Sequence, residues 1–387
     1  MTTGATGAQV EKHGQRGKVI GWLSTWLSRV FRLNREGLNW PRGVGVLHVL
    51  LVPLIVFWAI GNEQYLVSAI FGVLLGAVAD PGGGYGQRAL HLAAFGVIGA
   101  LVTALAFALG GVGWGWLVLA AFVVTLAAGL AIRFGVHTLV EAMLLNIWFI
   151  VAIGLAVSLH HQTQITSHTW AQVVSWLGGS ALWIAVASVG WLLGGRNDRP
   201  QPIQEIPADT TSRKLTPPVI TFALLRALAI AGAVALAFGL NLSHGYWMPI
   251  AAAVSIKPAL DQTALAGAQR VAGALIGAAA AALLLLIPAA ESGLKLFAVD
   301  LGFQTVAIIL LMDAVATRFY NYALYYAAIT AAVLLLLDAP HPSNYSALGD
   351  RVLWTLCGVG IGVLVMLLAE LLAKHAKRRA KTQPQPA

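Results

Sequence analysis

Gly245-Tyr246-Trp247-Met248-Pro249-Ile250-Ala251-Ala252-Ala253-Val254-Ser255-Ile256-Lys257-Pro258, with the Gln269–Gly277 segment QRVAGALIG behind it, decides the architecture. It reads as a short apolar helix, a sharp basic turn, and a long small-residue helix opened by Arg270. A shorter echo lies upstream. There Tyr65 begins an apolar run that stops at Asp80-Pro81-Gly82-Gly83-Gly84, and Arg88 opens a helix carrying Gly96 and Gly99. Proline and consecutive glycines end a helix and let backbone approach a ligand closely. Two Pro turns, each followed by an arginine, predict a duplicated unit with a site between its copies.

Working outward, the whole chain of 387 residues is 58% hydrophobic and 10% charged, with a mean hydropathy of +0.78. A soluble domain carries about 25% charged residues. Apolar runs of about twenty residues recur, the length a helix needs to cross a bilayer, and their pattern is not the ten-residue alternation of a membrane β-barrel. The single cysteine, Cys357, excludes an intramolecular disulfide and any CxxC metal site. A net charge of +9 raises a nucleic-acid partner, and its distribution argues against one.

Twelve spans are expected: 44–60, 65–80, 89–110, 114–132, 137–158, 170–193, 219–240, 246–257, 264–288, 294–313, 321–338 and 351–373. With the N-terminus in the cytoplasm, 21 of the 24 Lys and Arg fall on the cytoplasmic side. Lys295 and Arg351 fall on the other, and Arg226 lies within a span. This is the positive-inside pattern with both termini cytoplasmic. The fold class is therefore an all-α integral membrane protein, about twelve transmembrane helices in two parallel six-helix repeats, preceded by an interfacial amphipathic helix. The divisions are a disordered basic tail over 1–17, the interfacial helix over 18–42, and repeats over 43–194 and 219–373. A cytoplasmic linker spans 195–218 and a basic cytoplasmic tail 374–387.

Val19, Trp22, Leu23, Trp26, Leu27, Val30 and Phe31 recur at helical spacing beside Lys18, Arg29, Arg32 and Arg35, as in a helix lying on an anionic leaflet. The second repeat answers the first: Ala131-Ile132-Arg133-Phe134 by Ala316-Thr317-Arg318-Phe319, and His137 with Glu141 by Tyr322 with Tyr326. Copies inserted in the same orientation are related by an axis along the membrane normal. His160, His161 and His168 share an outer loop, where their spacing fits no zinc signature and a wetted loop is the simpler reading.

Paired short or Pro/Gly-interrupted spans mark transporter sites. Arg88 and Arg270 follow them at helix starts, where backbone N–H groups and a guanidinium together suit a carboxylate. Their plainer reading is as positive-inside charges at loop ends. Arg133, Arg318 and Arg226, with Tyr246, Trp247, Tyr322 and Tyr326, complete the expected substrate or pore set. Glu141 is the sharpest intramembrane charge. With His137 one turn away it reads equally as a proton relay or as a packing pair, and Asp313 is a further proton-coupling candidate. No GxSxG, HExxH, P-loop or paired-carboxylate motif occurs, so neither an enzyme, a cofactor nor a bound metal is expected.

GYWMPIAAAVSIKP followed by QRVAGALIGA resembles the second-half signature of the fusaric acid resistance/aromatic acid exporter family. The features are an aromatic pair, a Pro-bearing turn and an Arg-x-x-Gly-x-x-x-Gly helix, here Tyr246, Trp247, Pro258, Arg270, Gly273 and Gly277. The first half is similar more loosely, through Asp80-Pro81 and Arg88. The resemblance implies a bacterial inner-membrane secondary exporter of aromatic or other organic carboxylic acids, driven by protons, with kinship to plant aluminium-activated malate transporters. Its partners would be a small organic anion and the lipid bilayer, and homodimerisation stays open. A passive anion channel and a non-transporting envelope scaffold are the alternatives.

Overall fold

The computed structural model describes residues 27–80, 85–161, 167–193, 213–257, 260–285, 294–338 and 346–382. Within these, after a short helical stretch at 27–30, twelve longer helices succeed one another: α1 Trp40–Ala59, α2 Leu66–Ala79, α3 Tyr85–Ala108, α4 Trp114–Leu130, α5 Val136–His161, α6 Thr169–Leu193, α7 Pro217–Gly239, α8 Trp247–Ser255, α9 Leu260–Leu285, α10 Leu294–Thr317, α11 Tyr322–Asp338 and α12 Ser346–Thr382. Eight are long and apolar enough to cross a membrane, which makes this an all-helical, multi-pass membrane protein. Glu63–Ala79, Leu301–Thr317 and Tyr322–Leu336 are shorter apolar helices. The 1–17 tail, most of the 195–218 linker, the Gly82–Gly84 turn and the end of the basic tail lie outside the described residues.

Local chemistry sets the boundaries. Asn39 caps α1 by accepting from the Arg42 amide at 3.1 Å, and proline opens both α1 and α7. Gly135 has a φ of 113°, a conformation that admits glycine, and it turns the chain from Arg133 into α5. Asn241 and His244, at φ 48° and 51°, fold the tight turn that separates α7 from α8. That turn leaves α8 with nine residues, about 14 Å of helix, less than half of a hydrocarbon core.

The interfacial helix expected over 18–42 is shorter where it is described. A helix covers residues 27–30, a 3-10 turn follows at Arg35–Gly37, and α1 begins at Trp40. The cause is competition for backbone groups. Gln269 donates to the Val30 carbonyl and Asn321 to the Arg32 carbonyl, while the amides of Asn34 and Asn39 donate to Tyr320 and Ala316. This connector is stitched to the α9, α10 and α11 end of the bundle.

Helices pair as follows: α2 on α6, α8 on α12, α3 on α5 and α6, α9 on α11 and α12, α4 on α5, and α10 on α11. Among the described residues two extensive pairings, and a lighter one of α5 on α8, cross between the halves of the chain. α1 packs on α10, and α7 packs on α4. One apolar cluster accordingly joins Val46, Leu50 and Leu54 of α1 to Phe303, Ile308 and Leu311 of α10. A second gathers α2 to α6 around Trp148 and Trp176, whose rings stack at 5.1 Å.

Gly273 and Gly277 show why the Arg-x-x-Gly-x-x-x-Gly pattern matters. A Cβ on Gly273 would strike the Ala323 carbonyl, and one on Gly277 the Ala327 carbonyl, both on α11. Small residues spaced by four let two backbones approach, as membrane helices favour. Gly277→Leu is expected to push α9 off α11 and to destabilise the fold by roughly 1–3 kcal/mol. A lower thermal unfolding midpoint in detergent checks this, and an unchanged midpoint would refute the close approach.

Candidate functional site

A cavity of about 530 Å³ opens between the halves, walled by α2 and α5 on one side and by α7, α8, α11 and α12 on the other. Its polar lining is one-sided. Arg226, Lys257, Arg270, Arg318 and Arg351 reach it, and no Asp, Glu or His does among the described residues. Tyr246, Trp247, Tyr322, Tyr325 and Tyr326 share the wall with Phe71, Phe222, Phe319 and aliphatic side chains.

Three of the guanidinium groups are buried, at 1% exposure for Arg351, 3% for Arg270 and 6% for Arg226. Arg351 stacks 3.4 Å above the Trp247 ring and donates to the Tyr326 hydroxyl at 2.8 Å. Its Nε and Nη1 have no hydrogen-bond partner. Arg270 lies 4.0 Å over the opposite partner, the Tyr326 ring, and its Nε is also unsatisfied. Arg226 donates to the Ala253 carbonyl at 2.7 Å and contacts the Met143 sulfur, with Nε left over. Arg318 sits over Phe319 at 5.0 Å. Ring faces offset part of the cost of burying a cation, about 0.5–2 kcal/mol each, whereas an unpaired buried charge costs several. The arrangement is electrostatically incomplete. A multiply hydrogen-bonding anion with an apolar or aromatic body completes it.

Of the residues named from sequence, Arg226, Arg270, Arg318, Tyr246, Trp247, Tyr322 and Tyr326 meet at this cavity. Arg88 and Arg133 are not among its lining residues. Arg88 forms a bidentate pair with Asp80, at 2.6 Å through Nε, and Trp183 donates to the same carboxylate at 3.2 Å. The halves differ in the residue before the Pro turn and in where the arginine stands, in the first turn of α3 for Arg88 but well inside α9 for Arg270, not at the helix start expected from sequence. Asp80-Pro81 follows α2 where Lys257-Pro258 follows α8, so the first arginine is neutralised and the second is not. Arg133 is exposed, and its carbonyl accepts from the Arg213 amide at 3.0 Å.

His137 and Glu141 lie on the side of α5 facing α3, where His91 joins them, and Asp313 is part-buried on α10 away from the cavity. Sequence reasoning missed Arg351 and His91. Arg351 was sorted to the outer edge of the last span, but α12 starts at Ser346 and carries it inside. A serine, favoured at helix starts, was the available signal. His91, one turn beyond Arg88 on an apolar helix, gave no pattern of its own.

The Arg88–Asp80 pair has side chains only 12% and 6% exposed. Asp80→Asn is therefore expected to destabilise the protein by roughly 3–5 kcal/mol, and Asp80→Asn with Arg88→Met to recover much of that loss. Thermal unfolding of the two variants checks it; equal loss in both would show that the pair is not what Asp80 holds.

No curated protein and no solved structure matches the chain. A family model does match, over residues 221–365, from α7 into α12, and all five cavity cations fall inside that segment while Arg88 and Arg133 fall outside it. The family is described as fusaric acid resistance protein-like, and the chain is similar to it over those residues.

Proposed function

We propose that this protein carries organic, above all aromatic, carboxylates out of the cell through the cavity between its halves, as a secondary transporter of the bacterial inner membrane. The observation that supports it best is the convergence of Arg226, Lys257, Arg270, Arg318 and Arg351 with eight aromatic side chains, and no acid among the described residues, around one cavity. Such a wall attracts a carboxylate and offers ring faces to its aromatic body. A small cation is repelled by it.

The architecture behind this reading is twelve spans in two like-oriented six-helix repeats with cytoplasmic termini. The matched packing supports it: α2 on α6 answers α8 on α12, and α3 on α6 answers α9 on α12. The first helix of each repeat is exchanged, α1 onto α10 and α7 onto α4. The short α8 leaves Ile256 and Lys257 without helix beside the cavity, the kind of interruption that transporters place at a substrate site. Proton drive comes from the family resemblance. A passive anion channel is the second reading, favoured by the lack of any Asp, Glu or His among the described residues lining the cavity.

Reconstituted proteoliposomes test both. Benzoate flux is expected to fall about tenfold or more in Arg351→Gln and in Arg270→Ala, with normal insertion, and to persist in Arg133→Gln. Uphill movement under an imposed pH gradient supports coupled export, and ohmic anion current without it supports the channel. Wild-type flux in both cavity variants would remove the guanidinium groups from the mechanism.

A further inference from the structure

His91, His137 and Glu141 form a second polar centre, separate from the cavity. His137 and Glu141 stand one turn apart on α5, so they share a face, and His91 reaches them from α3. His91 Nε2 lies 2.5 Å from Glu141 Oε1, and His137 Nδ1 lies 3.5 Å from Oε2 without hydrogen-bond geometry. The two imidazole rings meet edge to face at 4.8 Å. Neither nitrogen of His137 has a hydrogen-bond partner, although the side chain is only 3% exposed. A buried imidazole within ion-pair range of a carboxylate, with neither nitrogen in hydrogen-bond geometry, is what remains unexplained once His91 and Glu141 are paired.

We propose that His91, His137 and Glu141 bind one divalent transition-metal ion, Zn²⁺ by their donor set, and so clamp α3 to α5. One atom from each residue lies within 4.8 Å of the others. Donors around tetrahedral zinc sit about 3.3 Å apart, so side-chain movement of about an ångström closes the site. Two imidazoles and a carboxylate leave a fourth position for water. The charges agree. Glu141 supplies a negative group, and Arg88, one turn before His91, is already held by Asp80 and so does not repel the ion. His91 is part-exposed, which gives the ion a way in. In the second half the matching α11 positions are Tyr322 and Tyr326, which cannot make such a site. Neither the sequence motifs nor the transport reading requires this ion, so its test stands apart from theirs.

The full chain, purified without a polyhistidine tag and stripped with a chelator, is titrated with ZnCl₂ by calorimetry and with Co²⁺ by visible absorption. One ion per chain is expected, with a tetrahedral Co²⁺ spectrum. His91→Gln, His137→Gln and Glu141→Gln should each weaken binding about tenfold or more. His168→Gln, in the outer loop, should leave it unchanged. His91→Gln alters a part-exposed side chain and keeps the test readable if the buried His137 variant fails to fold. Absence of stoichiometric uptake, equal affinity in the folded variants, or loss only with His168→Gln would overturn the proposal.

Discussion

Like charge gathered in a low-dielectric cavity is the constraint around which the rest of this protein is arranged. Arg226, Arg270 and Arg351 are buried together, with no carboxylate among the described residues lining their cavity. Most buried arginines in proteins are paired, since the desolvation of a cation is only repaid by a close counter-charge. Here the repayment is partial. Trp247 and Tyr326 present ring faces, and the Ala253 carbonyl takes one N–H, yet guanidinium nitrogens on all three residues are left over. A fold that tolerates such a centre holds its surroundings rigid enough to prevent relaxation, and it gains most when an anion enters. Binding energy is stored as an unmet need rather than spent on internal pairs.

The helix packing supplies that rigidity. α9 and α11 approach through Gly273 and Gly277, which brings Arg270 against Tyr326. α8 stops after nine residues, so the chain passes Lys257 beside the cavity. The exchanged helices α1 and α7 tie each half to the other. The Arg88–Asp80 pair in the first half shows the alternative outcome, in which an arginine after a Pro turn is internally satisfied and does not line the cavity.

Much of this was legible in the sequence. Apolar runs located the helices, since the bilayer imposes both length and composition, and basic residues embedded in such runs stood out at Arg226 and Arg270. The Tyr246-Trp247 pair and the Arg-x-x-Gly-x-x-x-Gly spacing marked the wall that the structure builds. What was not legible depends on neighbours rather than on periodicity. Nothing in the spacing of Arg88 announced that Asp80 would fold back onto it, although the Asp/Lys difference ahead of the two Pro turns was there to be read. Hydrophobic pattern says which face of α1 is apolar, not that α10 will cover it. The helix expected over 18–42 was cut short by Gln269 and Asn321, side chains 239 and 289 residues away in sequence that capture its carbonyls. His91 was invisible because its partners lie on another helix.

The most direct test of the central claim is equilibrium binding of three similarly sized aromatics to the purified protein: benzoate, benzamide and benzylamine. The account predicts that benzoate binds at a single site and quenches or shifts tryptophan fluorescence through Trp247, while the neutral amide and the cationic amine do not. Binding of all three alike, or preference for the amine, would contradict it.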